Sequence, residues 1–360
     1  MNAMTPWWHS LAANPHSPHA RGLKAHAAVD TARAQLADLV FADPQEITFV
    51  SGATEANNLA ILGTARAALL KSDSRRHIVV SAIEHKSVID TARSLENQGF
   101  QISLAPVARS GVIDLDALKA LCTPATLLVS VMAVNNEVGS IQPVQDIVSI
   151  ARQVGALVHV DAAQALGKIP IDVRDVDYAS FSSHKVYGPI GIGALFVSAA
   201  AEYRPSPLLY GGGQELGLRP GTVPVPLAVG FGAAAALAGT RLAQDRAHSL
   251  TLSRLFLQAL SLSQLQYTEN IAEDIRVPGS LSLRFPGIDA MSVIIKMGDV
   301  LSISEGSACS SGQIVQSHVL KAMGFTVSEA QETLRLYFSR YNTEREIADA
   351  VSILATALRD

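Results

Sequence analysis

The chain has 360 residues, of which 48% are hydrophobic and 17% charged, and this length favours two domains over one hydrophobic core. Its 28 Lys and Arg residues against 32 Asp and Glu residues give a formal net charge of −4, which offers no electrostatic basis for binding nucleic acid or an anionic membrane. The two cysteines, Cys122 and Cys309, lie far apart, which argues against a secreted disulfide framework and favours a reducing cytoplasm.

Two stretches bear on targeting to membranes. Residues 1–9 contain no basic region followed by an apolar core, so no signal peptide is expected. The uncharged stretch over 220–240 is rich in alanine and interrupted by proline and glycine, so it predicts a buried helix that begins near Pro226. The protein is therefore expected to be soluble and cytoplasmic, with no membrane partner.

Helices and strands are predicted to alternate along the first two thirds of the chain. A helix is predicted over 27–40, because apolar residues recur there at the spacing of one helix face before Asp43 and Pro44. The strands that follow are short apolar runs, predicted at 47–50, 77–81, 126–134, 157–160 and from 178 onward. This alternation predicts an α/β fold with a mostly parallel sheet between helices.

Polar side chains follow five successive predicted strands. Ligands of such sheets bind beyond the carboxyl ends of the strands. The residues expected at that edge are Thr54, His85, Asn136, Asp161, Gln164, His184 and Lys185. A single polar residue there would mean little, but five strands that each deliver one to the same edge indicate a ligand site.

The pattern changes after about residue 246. Strands are predicted at 280–285, 300–304 and 334–339, with helices between them. Capping boxes are predicted at two helix starts, Ser328 with Gln331 and Thr343 with Glu346. This part of the chain predicts a smaller α+β domain.

Lys185 and Asp161 have the chemistry of a cofactor site. Lys185 follows an apolar strand and precedes Gly188, Gly191 and Gly193, where the backbone can approach a ligand closely. Desolvation of its amine would favour the neutral form that makes a Schiff base. Asp161 follows four apolar residues, and a pyridinium nitrogen is one partner that would compensate a buried carboxylate. A solvated lysine and a structural ion pair are the alternatives for these two residues.

The segment 51–55 joins a predicted strand to a predicted helix, so Ala53 and Thr54 lie where free backbone amides favour a phosphate. Thr54 as an ordinary helix N-cap is an equally open alternative. His85 could stack on an aromatic ring or transfer protons, and its alternative is a histidine that merely begins a helix.

Cys309 lies in a segment, 302–312, that is rich in serine and glycine, as suits a nucleophile that must visit a site and leave it. Cys122 follows leucines at helical spacing and is expected to pack in the core. His16 and His19 lack a third ligand nearby, so no metal site is expected.

Together these segments resemble the cysteine desulfurases of the class V aminotransferase family, which use pyridoxal phosphate and supply sulfur for iron–sulfur clusters. The resemblance extends from Asn2 to about Ile353. The motifs that carry it are Asn2-Ala3-Met4-Thr5-Pro6, Asn14-Pro15-His16-Ser17-Pro18-His19, Ser51-Gly52-Ala53-Thr54-Glu55, Glu84-His85-Lys86, Asn135-Asn136-Glu137, Asp161-Ala162-Ala163-Gln164, Ser182-Ser183-His184-Lys185, Gly211-Gly212-Gly213-Gln214-Glu215, Arg219-Pro220-Gly221-Thr222, Gly306-Ser307-Ala308-Cys309 and Leu334-Arg335-Leu336.

The resemblance implies a role for each residue that matches a motif. Lys185 would bind pyridoxal 5'-phosphate as a Schiff base, and Asp161 would pair with the pyridine nitrogen. His85 would stack on the cofactor ring, Gln164 would bond the phenolic oxygen, and Asn136 would hold both ring and substrate.

The remaining roles concern phosphate, substrate and sulfur. The phosphate would be bound by Ala53, Thr54, Ser182 and His184, together with Thr222 of the neighbouring subunit, so a homodimer with shared active sites is implied. Arg335 would bind the carboxylate of L-cysteine, a task for which its planar guanidinium suits it better than a lysine. Cys309 would take the sulfur as a persulfide and release alanine.

The resemblance also implies fold type I of the pyridoxal-phosphate enzymes. A large domain over 13–245 would contain a mainly parallel seven-stranded sheet between helices, and a small α+β domain over 1–12 and 246–360 would carry the cysteine loop. That loop is similar to the long-loop branch, which passes sulfur to an acceptor protein for cluster assembly or another thio-modification.

Two alternatives use the same residues. One is a selenocysteine lyase or another β-eliminating enzyme on this scaffold. The other is a non-catalytic protein that has kept the fold, against which the intact Lys185, Asp161 and Cys309 argue.

Overall fold

A computed structural model describes residues 1–298, 300–305 and 317–358, so Cys309 and its expected role lie outside the described residues. The described chain forms two compact units. The first unit contains 1–105, 115–133 and 143–242, and the second contains 106–114, 134–142 and the described residues from Ala243 onward. The functional domain boundaries expected from the resemblance stay a prediction.

The elements of the first unit begin with two helices and then alternate. In chain order they are α1 (Thr5–Trp8), α2 (Ala20–Val40), β1 (Ile47–Val50), α3 (Ala53–Leu70), β2 (His77–Ser81), α4 (Lys86–Ser94), β3 (Gln101–Ala105), α5 (Leu115–Leu121), β4 (Thr126–Met132), α6 (Val144–Gln153), β5 (Leu157–Asp161), β6 (Tyr178–Ser182), β7 (Gly193–Val197) and the first part of α7 (Val225–Leu262).

The second unit contains the end of α7 and the elements that follow it. These are β8 (Thr268–Glu269), β9 (Ser280–Arg284), α8 (Ala290–Met297), β10 (Ser304–Glu305), α9 (His318–Ala322), α10 (Val327–Gln331), β11 (Thr333–Tyr337) and α11 (Glu344–Ala357).

The first unit is built on a seven-stranded sheet of order β1-β7-β6-β5-β4-β2-β3. The pairs from β6 to β3 are all parallel, while β7 runs antiparallel to both of its neighbours, β1 and β6. Six strands therefore share one direction, and their carboxyl ends meet at one edge. The expectation of a mainly parallel seven-stranded sheet is confirmed.

The central strands are buried along their whole length, which explains why they read as continuous apolar runs. α3 packs against the sheet through residues such as Leu59 and Ile61, in a cluster that includes Ile78 and Leu128. Burial of apolar surface at roughly 25 cal/mol per Å² is the main force that holds such layers together.

Gly193 allows β7 to approach the turn that precedes α3. A Cβ at Gly193 would lie 2.5 Å from the carbonyl oxygen of Phe181 and 2.6 Å from Cα of Gly52. No side chain fits at these distances, so the backbone itself braces that turn.

The second unit has an antiparallel sheet of order β10-β11-β9-β8. Its core includes Leu252, Phe256, Leu283 and Leu354, and the ring of Phe256 lies 5.2 Å from that of Phe338. The α+β character expected for this region is present.

Several predicted boundaries differ from the structure. α2 begins at Ala20, not at residue 27, because the Nδ1 atom of His19 accepts a hydrogen bond from the N–H of Gly22 and caps the helix. The strand predicted at 300–304 is wrong, since only Ser304–Glu305 pairs with β11.

The two capping boxes had different outcomes. The box at Thr343 and Glu346 is confirmed. The box predicted at Ser328 and Gln331 is wrong, because Thr326 caps α10 together with Glu329. Two capping patterns overlap in this stretch, Thr326 with Glu329 and Ser328 with Gln331, and the helix begins at the first of them.

α7 begins at Val225, as expected for the stretch near Pro226, but it continues for 38 residues. By length and composition this helix could cross a membrane, although a core helix of a soluble protein meets the same description. Phe231 and Phe256 on α7 are fully buried, which is the behaviour of a core helix.

Candidate active site

The turn between β1 and α3 presents backbone donors to a ligand. The N-cap of the 18-residue α3 is Gly52, which provides no side-chain cap, so the alternative of Thr54 as the N-cap is wrong. Ala53 and Thr54 are the first two residues of the helix, and a Cβ at Gly52 would meet no atom within 4 Å. Because first-turn N–H groups have no partner within the helix, this turn favours an anion.

Ser182 and His184 lie at the carboxyl end of β6, where the chain turns into a short 3₁₀ helix at Ser183–Val186. The hydroxyl of Ser182 lies 3.0 Å from Nδ1 of His184. Burial lowers the pKa of His184, and the positive charges of Lys185 and Lys168 lower it further. A neutral imidazole beside a hydroxyl can donate hydrogen bonds to a phosphate.

Asp161 ends β5 and is 5% exposed. Its Oδ1 accepts from the N–H of Ala163 at 2.9 Å, and its Oδ2 accepts from Nδ2 of Asn57 at 2.8 Å. Burial raises the pKa of Asp161, whereas these donors and the electrostatic influence of His85 and Lys185 oppose the rise. The carboxylate therefore lies within electrostatic reach of His85 and Lys185, and it would gain from a further positive partner.

His85 lies at the N-terminus of α4. Its Nδ1 accepts from the N–H of Ser87 at 3.1 Å and lies 2.8 Å from the hydroxyl of the same residue. The alternative of a histidine that begins a helix is thus geometrically correct. It does not exclude a ligand role, because the capping contact uses one ring nitrogen.

Glu84 is a buried carboxyl that sequence reasoning did not single out. It is fully buried, and its Oε1 accepts from the N–H of Met132 on the neighbouring strand. Burial raises the pKa of Glu84 well above its usual range, and the negative charge of Asp161 raises it further. Its place beside His85 in a matching motif was the available signal, but its burial could not be read from the sequence.

Gln164 is oriented by Lys168, four residues further along the chain. Nζ of Lys168 donates to Oε1 of Gln164 at 2.6 Å. An ammonium can only donate, so this contact assigns the oxygen to that side of the amide and leaves the amide N–H groups to face elsewhere. Lys168 is a second residue that sequence reasoning missed.

Two ion pairs anchor the loop that carries Thr222. Glu215, whose side chain is 4% exposed, accepts two hydrogen bonds from Arg33 at 2.7 and 2.8 Å. Arg219 donates to Glu55 in the first turn of α3 at 2.9 Å. Thr222 itself is exposed.

Arg335 and Asn136 are brought together within the second unit. Nη1 of Arg335 donates to the backbone oxygen of Asn136 at 2.9 Å, and its Nε donates to the hydroxyl of Ser304 at 2.9 Å. Oδ1 of Asn136 is buried and has no hydrogen-bond partner in the part of the chain that the structure describes. Both residues therefore retain polar atoms for a ligand.

The residues of the first unit fit pyridoxal phosphate. The uncapped start of α3, with Ser182 and His184, matches the phosphate, and the buried carboxylate of Asp161 matches a protonated ring nitrogen. Lys185 is half-buried and acts electrostatically on Asp161, so an amine and a carboxylate belong to the same site.

Comparison with known proteins gives consistent matches. A family model described as aminotransferase class-V matches residues 1–349. A curated cysteine desulfurase IscS of Rickettsia bellii is 43% identical over 361 residues, which cover 99% of this chain and 87% of that protein.

Two solved structures extend the comparison. A NifS-like protein matches with a TM-score of 0.91 and 35% identity over 99% of this chain and 94% of the other. A structure described as SspA in complex with cysteine matches with a TM-score of 0.81 and 37% identity over 95% of each chain.

Proposed function

The chain belongs to the cysteine desulfurases of the class V aminotransferase family, and we propose that it converts L-cysteine to L-alanine with Cys309 as the thiol that takes the sulfur. Like its relatives it is an enzyme that depends on pyridoxal phosphate and feeds sulfur to acceptor pathways. The observation that carries the residue assignment is the buried Asp161, whose carboxylate lies within electrostatic reach of His85 and Lys185 and accepts a hydrogen bond from Asn57 on α3.

The proposed division of labour follows from the chemistry of each side chain. Bound pyridoxal phosphate supplies an electron sink for negative charge on the substrate carbon. Lys185 holds the cofactor and carries protons at Nζ, and Asp161 keeps a positive charge at the far end of the ring by charge pairing. Ala53, Thr54, Ser182 and His184 bind the phosphate, and Gln164 donates to the phenolic oxygen.

The substrate carboxylate is bound by Arg335 in this proposal. Arg335 binds the cysteine carboxylate through a planar pair of N–H donors, beside Asn136. The thiolate of Cys309 attacks the substrate sulfur, so that a sulfur–sulfur bond forms as the carbon–sulfur bond breaks. One cysteine and one enzyme thiol thus yield one alanine and one enzyme persulfide, with no external oxidant.

A product assay tests this function. Purified holoenzyme is incubated with L-cysteine, and alanine is quantified together with the sulfide released by an added reductant. We expect one alanine per sulfur transferred, and an absence of alanine would refute the proposal.

Variants of the two cysteines separate desulfuration from elimination. Cys309→Ser is expected to lower alanine formation at least about 100-fold, because the nucleophile is lost. Cys122→Ala, at a buried thiol whose pKa is raised by burial, is the matched control and should retain activity. A β-eliminating lyase would instead keep its activity in Cys309→Ser.

The assembly we propose is a cytoplasmic homodimer with shared sites, in which Thr222 reaches the phosphate bound by the partner subunit. The exposure of Thr222 and the ion pairs that anchor its loop support this arrangement. Thr222→Ala should weaken cofactor retention in gel-filtered dimers. A holoenzyme that sediments as a monomer with full activity would contradict it.

The sulfur acceptor is proposed to be another protein. Incubating the persulfide form with candidate acceptor proteins and following labelled sulfur by mass spectrometry identifies it. We expect transfer to depend on Cys309 and not on Cys122.

A further inference from the structure

A continuous chain of hydrogen bonds joins Asp161 to His85 through two residues that have no assigned role, Asn57 and Ser87. Nδ2 of Asn57 lies 2.8 Å from Oδ2 of Asp161 and 2.8 Å from the hydroxyl of Ser87. That hydroxyl lies 2.8 Å from Nδ1 of His85. All four residues belong to the first unit.

The direction of donation can be assigned along this chain. The backbone N–H of Ser87 points at Nδ1 of His85, and a backbone N–H can only donate, so Nδ1 must carry a lone pair. The hydroxyl of Ser87 can then donate to the same nitrogen. Its oxygen in turn accepts one N–H of Asn57, whose second N–H goes to Asp161.

The opposite orientation of the Asn57 amide is excluded on electrostatic grounds. It would place the amide oxygen against the carboxylate oxygen of Asp161, where two acceptors repel each other. In the observed orientation Oδ1 of Asn57 is buried without a hydrogen-bond partner among the residues that the structure describes. Asn57 is 0% exposed, so its side-chain oxygen is desolvated without compensation while both of its N–H groups are used in this series of hydrogen bonds.

We propose that Asn57 and Ser87 are positioning residues that hold His85 as the neutral tautomer protonated at Nε2 and that tie its orientation to that of Asp161. This inference rests on the proposed function, in which both His85 and Asp161 face the cofactor. Protonation of Nδ1 would break the hydrogen bond from the N–H of Ser87 and would force the hydroxyl of Ser87 to accept instead of donate. His85 therefore meets its ligand as an N–H donor at Nε2, and any proton that it moves leaves or enters at that atom.

The chain also connects separate parts of the cofactor site. Asn57 lies in the second turn of α3, whose first turn is proposed to bind the phosphate, while Ser87 lies in the first turn of α4. Asp161 ends β5. The residues proposed for phosphate, ring nitrogen and ring face are thus joined by one set of hydrogen bonds, which favours preorganisation.

The tautomer can be tested without any activity assay. Apoenzyme and holoenzyme are labelled with ¹⁵N-histidine, the signals of His85 are assigned by their loss in His85→Gln, and the protonation of each ring nitrogen is read from its chemical shift. We expect an unprotonated Nδ1 and a protonated Nε2 near neutral pH. A protonated Nδ1 would overturn the proposal.

Two variants test the link to Asp161. Ser87→Ala keeps the backbone donor but removes the hydroxyl, and Asn57→Ala removes the amide that polarises this hydroxyl. Both should move the Nδ1 signal of His85 in the same direction, and the double variant should add little to Ser87→Ala. If Asn57→Ala is folded and leaves the Nδ1 signal of His85 unchanged, the proposed link between His85 and Asp161 is wrong.

Matched controls separate positioning from folding. Ser94→Ala removes a hydroxyl from the same helix that bonds only locally, to the backbone oxygen of Thr91, and should leave the signals of His85 unchanged. Ser87→Thr retains a hydroxyl and should restore them. Circular dichroism confirms that each variant is folded.

Steady-state kinetics of Ser87→Ala provide a second test of the positioning role. In the active enzyme Ser87→Ala should lower kcat about threefold to tenfold, as expected for one lost hydrogen bond, with little change in KM for cysteine. If the tautomer is as proposed but no alanine forms from cysteine, the proposed function fails and the positioning role stands.

Discussion

Histidines bonded to hydroxyl groups occur in two places in the first unit, inside the sheet and at its carboxyl edge. Within the sheet, Nδ1 of His159 lies 2.7 Å from the hydroxyl of Ser130, and Nε2 lies 2.9 Å from that of Ser180. At the edge, Nδ1 of His85 is bonded to Ser87, and Nε2 makes no hydrogen bond to the described residues.

A structural histidine and one that can act on a ligand differ in how many ring nitrogens are already bonded. The ring of His159 is fully buried, both of its nitrogens have hydroxyl partners, and burial lowers its pKa to about 3. His85 is half-buried and fixed through one nitrogen only, so the other remains for chemistry. A residue type and a serine partner alone do not distinguish the two cases, but the number of nitrogens already bonded does.

The largest effect is expected at the edge, from Asp161→Asn. The change preserves shape but removes the charge that pairs with the ring, so activity should fall on the order of 10²–10³-fold. Because burial disfavours the charged carboxylate, the thermal stability of the apoenzyme should stay constant or rise. Alanine formation and a melting curve measure the two quantities, and a matched fall in both would assign Asp161 to the structure instead.

Arg335→Ala extends the comparison to the second unit. Arg335 is half-buried and donates to two neutral oxygens, those of Ser304 and Asn136, whereas Arg276 is 4% exposed and pairs with the carboxylate of Glu269. We expect KM for cysteine to rise about 10- to 100-fold, as for a lost charge-assisted contact, with cofactor retention unchanged. Arg335→Lys should recover part of the loss, and an equal loss of cofactor and cysteine binding would refute the assignment.

His159→Leu tests the interior side of the comparison. It leaves the hydroxyls of Ser130 and Ser180 without their ring partner, at a cost of about 1–3 kcal/mol for each group left unsatisfied. The specific activity of folded enzyme should be unchanged. Chemical denaturation measures the stability, and a variant that folds normally but loses activity would show that the interior histidine acts on the site.

The stability difference between wild type and His159→Leu is expected to depend on pH. The pKa of His159 is lowered to about 3 in the folded chain against an ordinary value of 6.5, so protonation favours the unfolded state. The stabilisation is complete above pH 6.5 and is lost as pH falls from there toward 3. The stability difference between wild type and His159→Leu should therefore shrink over that interval, and a constant difference would contradict it.

The smallest effect is expected from Lys168→Met, which removes the donor that orients Gln164. Loss of one hydrogen bond predicts a fall in activity of about threefold to tenfold together with a shift in the absorbance of the bound cofactor. Lys71→Met, at a lysine whose Nζ bonds the backbone of Glu202 far from the candidate site, serves as the control. An unaltered spectrum would show that Gln164 needs no such support.

The sheet and the position of its ligand edge could be predicted because their signals are local. Strands such as Ile47–Val50 and His77–Ser81 are short apolar runs, and the polar residues come directly after them. α2 was placed seven residues too late because its N-cap is a histidine, and histidine is not among the usual capping residues.

The network of the candidate site could not be predicted because its partners are distant in sequence. Asn57 is 104 residues from the carboxylate that it contacts, and the intervening chain gives no sign of the pairing. Lys168 and Ser87 are close in sequence to the residues they serve, but a donor at that spacing is common on any helix or turn. Only the backbone geometry shows which of them meet.

The ion pairs of Arg33 with Glu215 and of Arg219 with Glu55 have a consequence for assembly. Arg219 ties the loop of Thr222 to the first turn of α3, which we propose binds phosphate in the same subunit, and Arg33 ties the loop to α2. In the proposed dimer, a cofactor bound to one subunit therefore also stabilises the loop through which Thr222 of that subunit reaches the phosphate bound by the other. By linkage, dilution of the enzyme should release cofactor, and added cofactor should hold dilute subunits together.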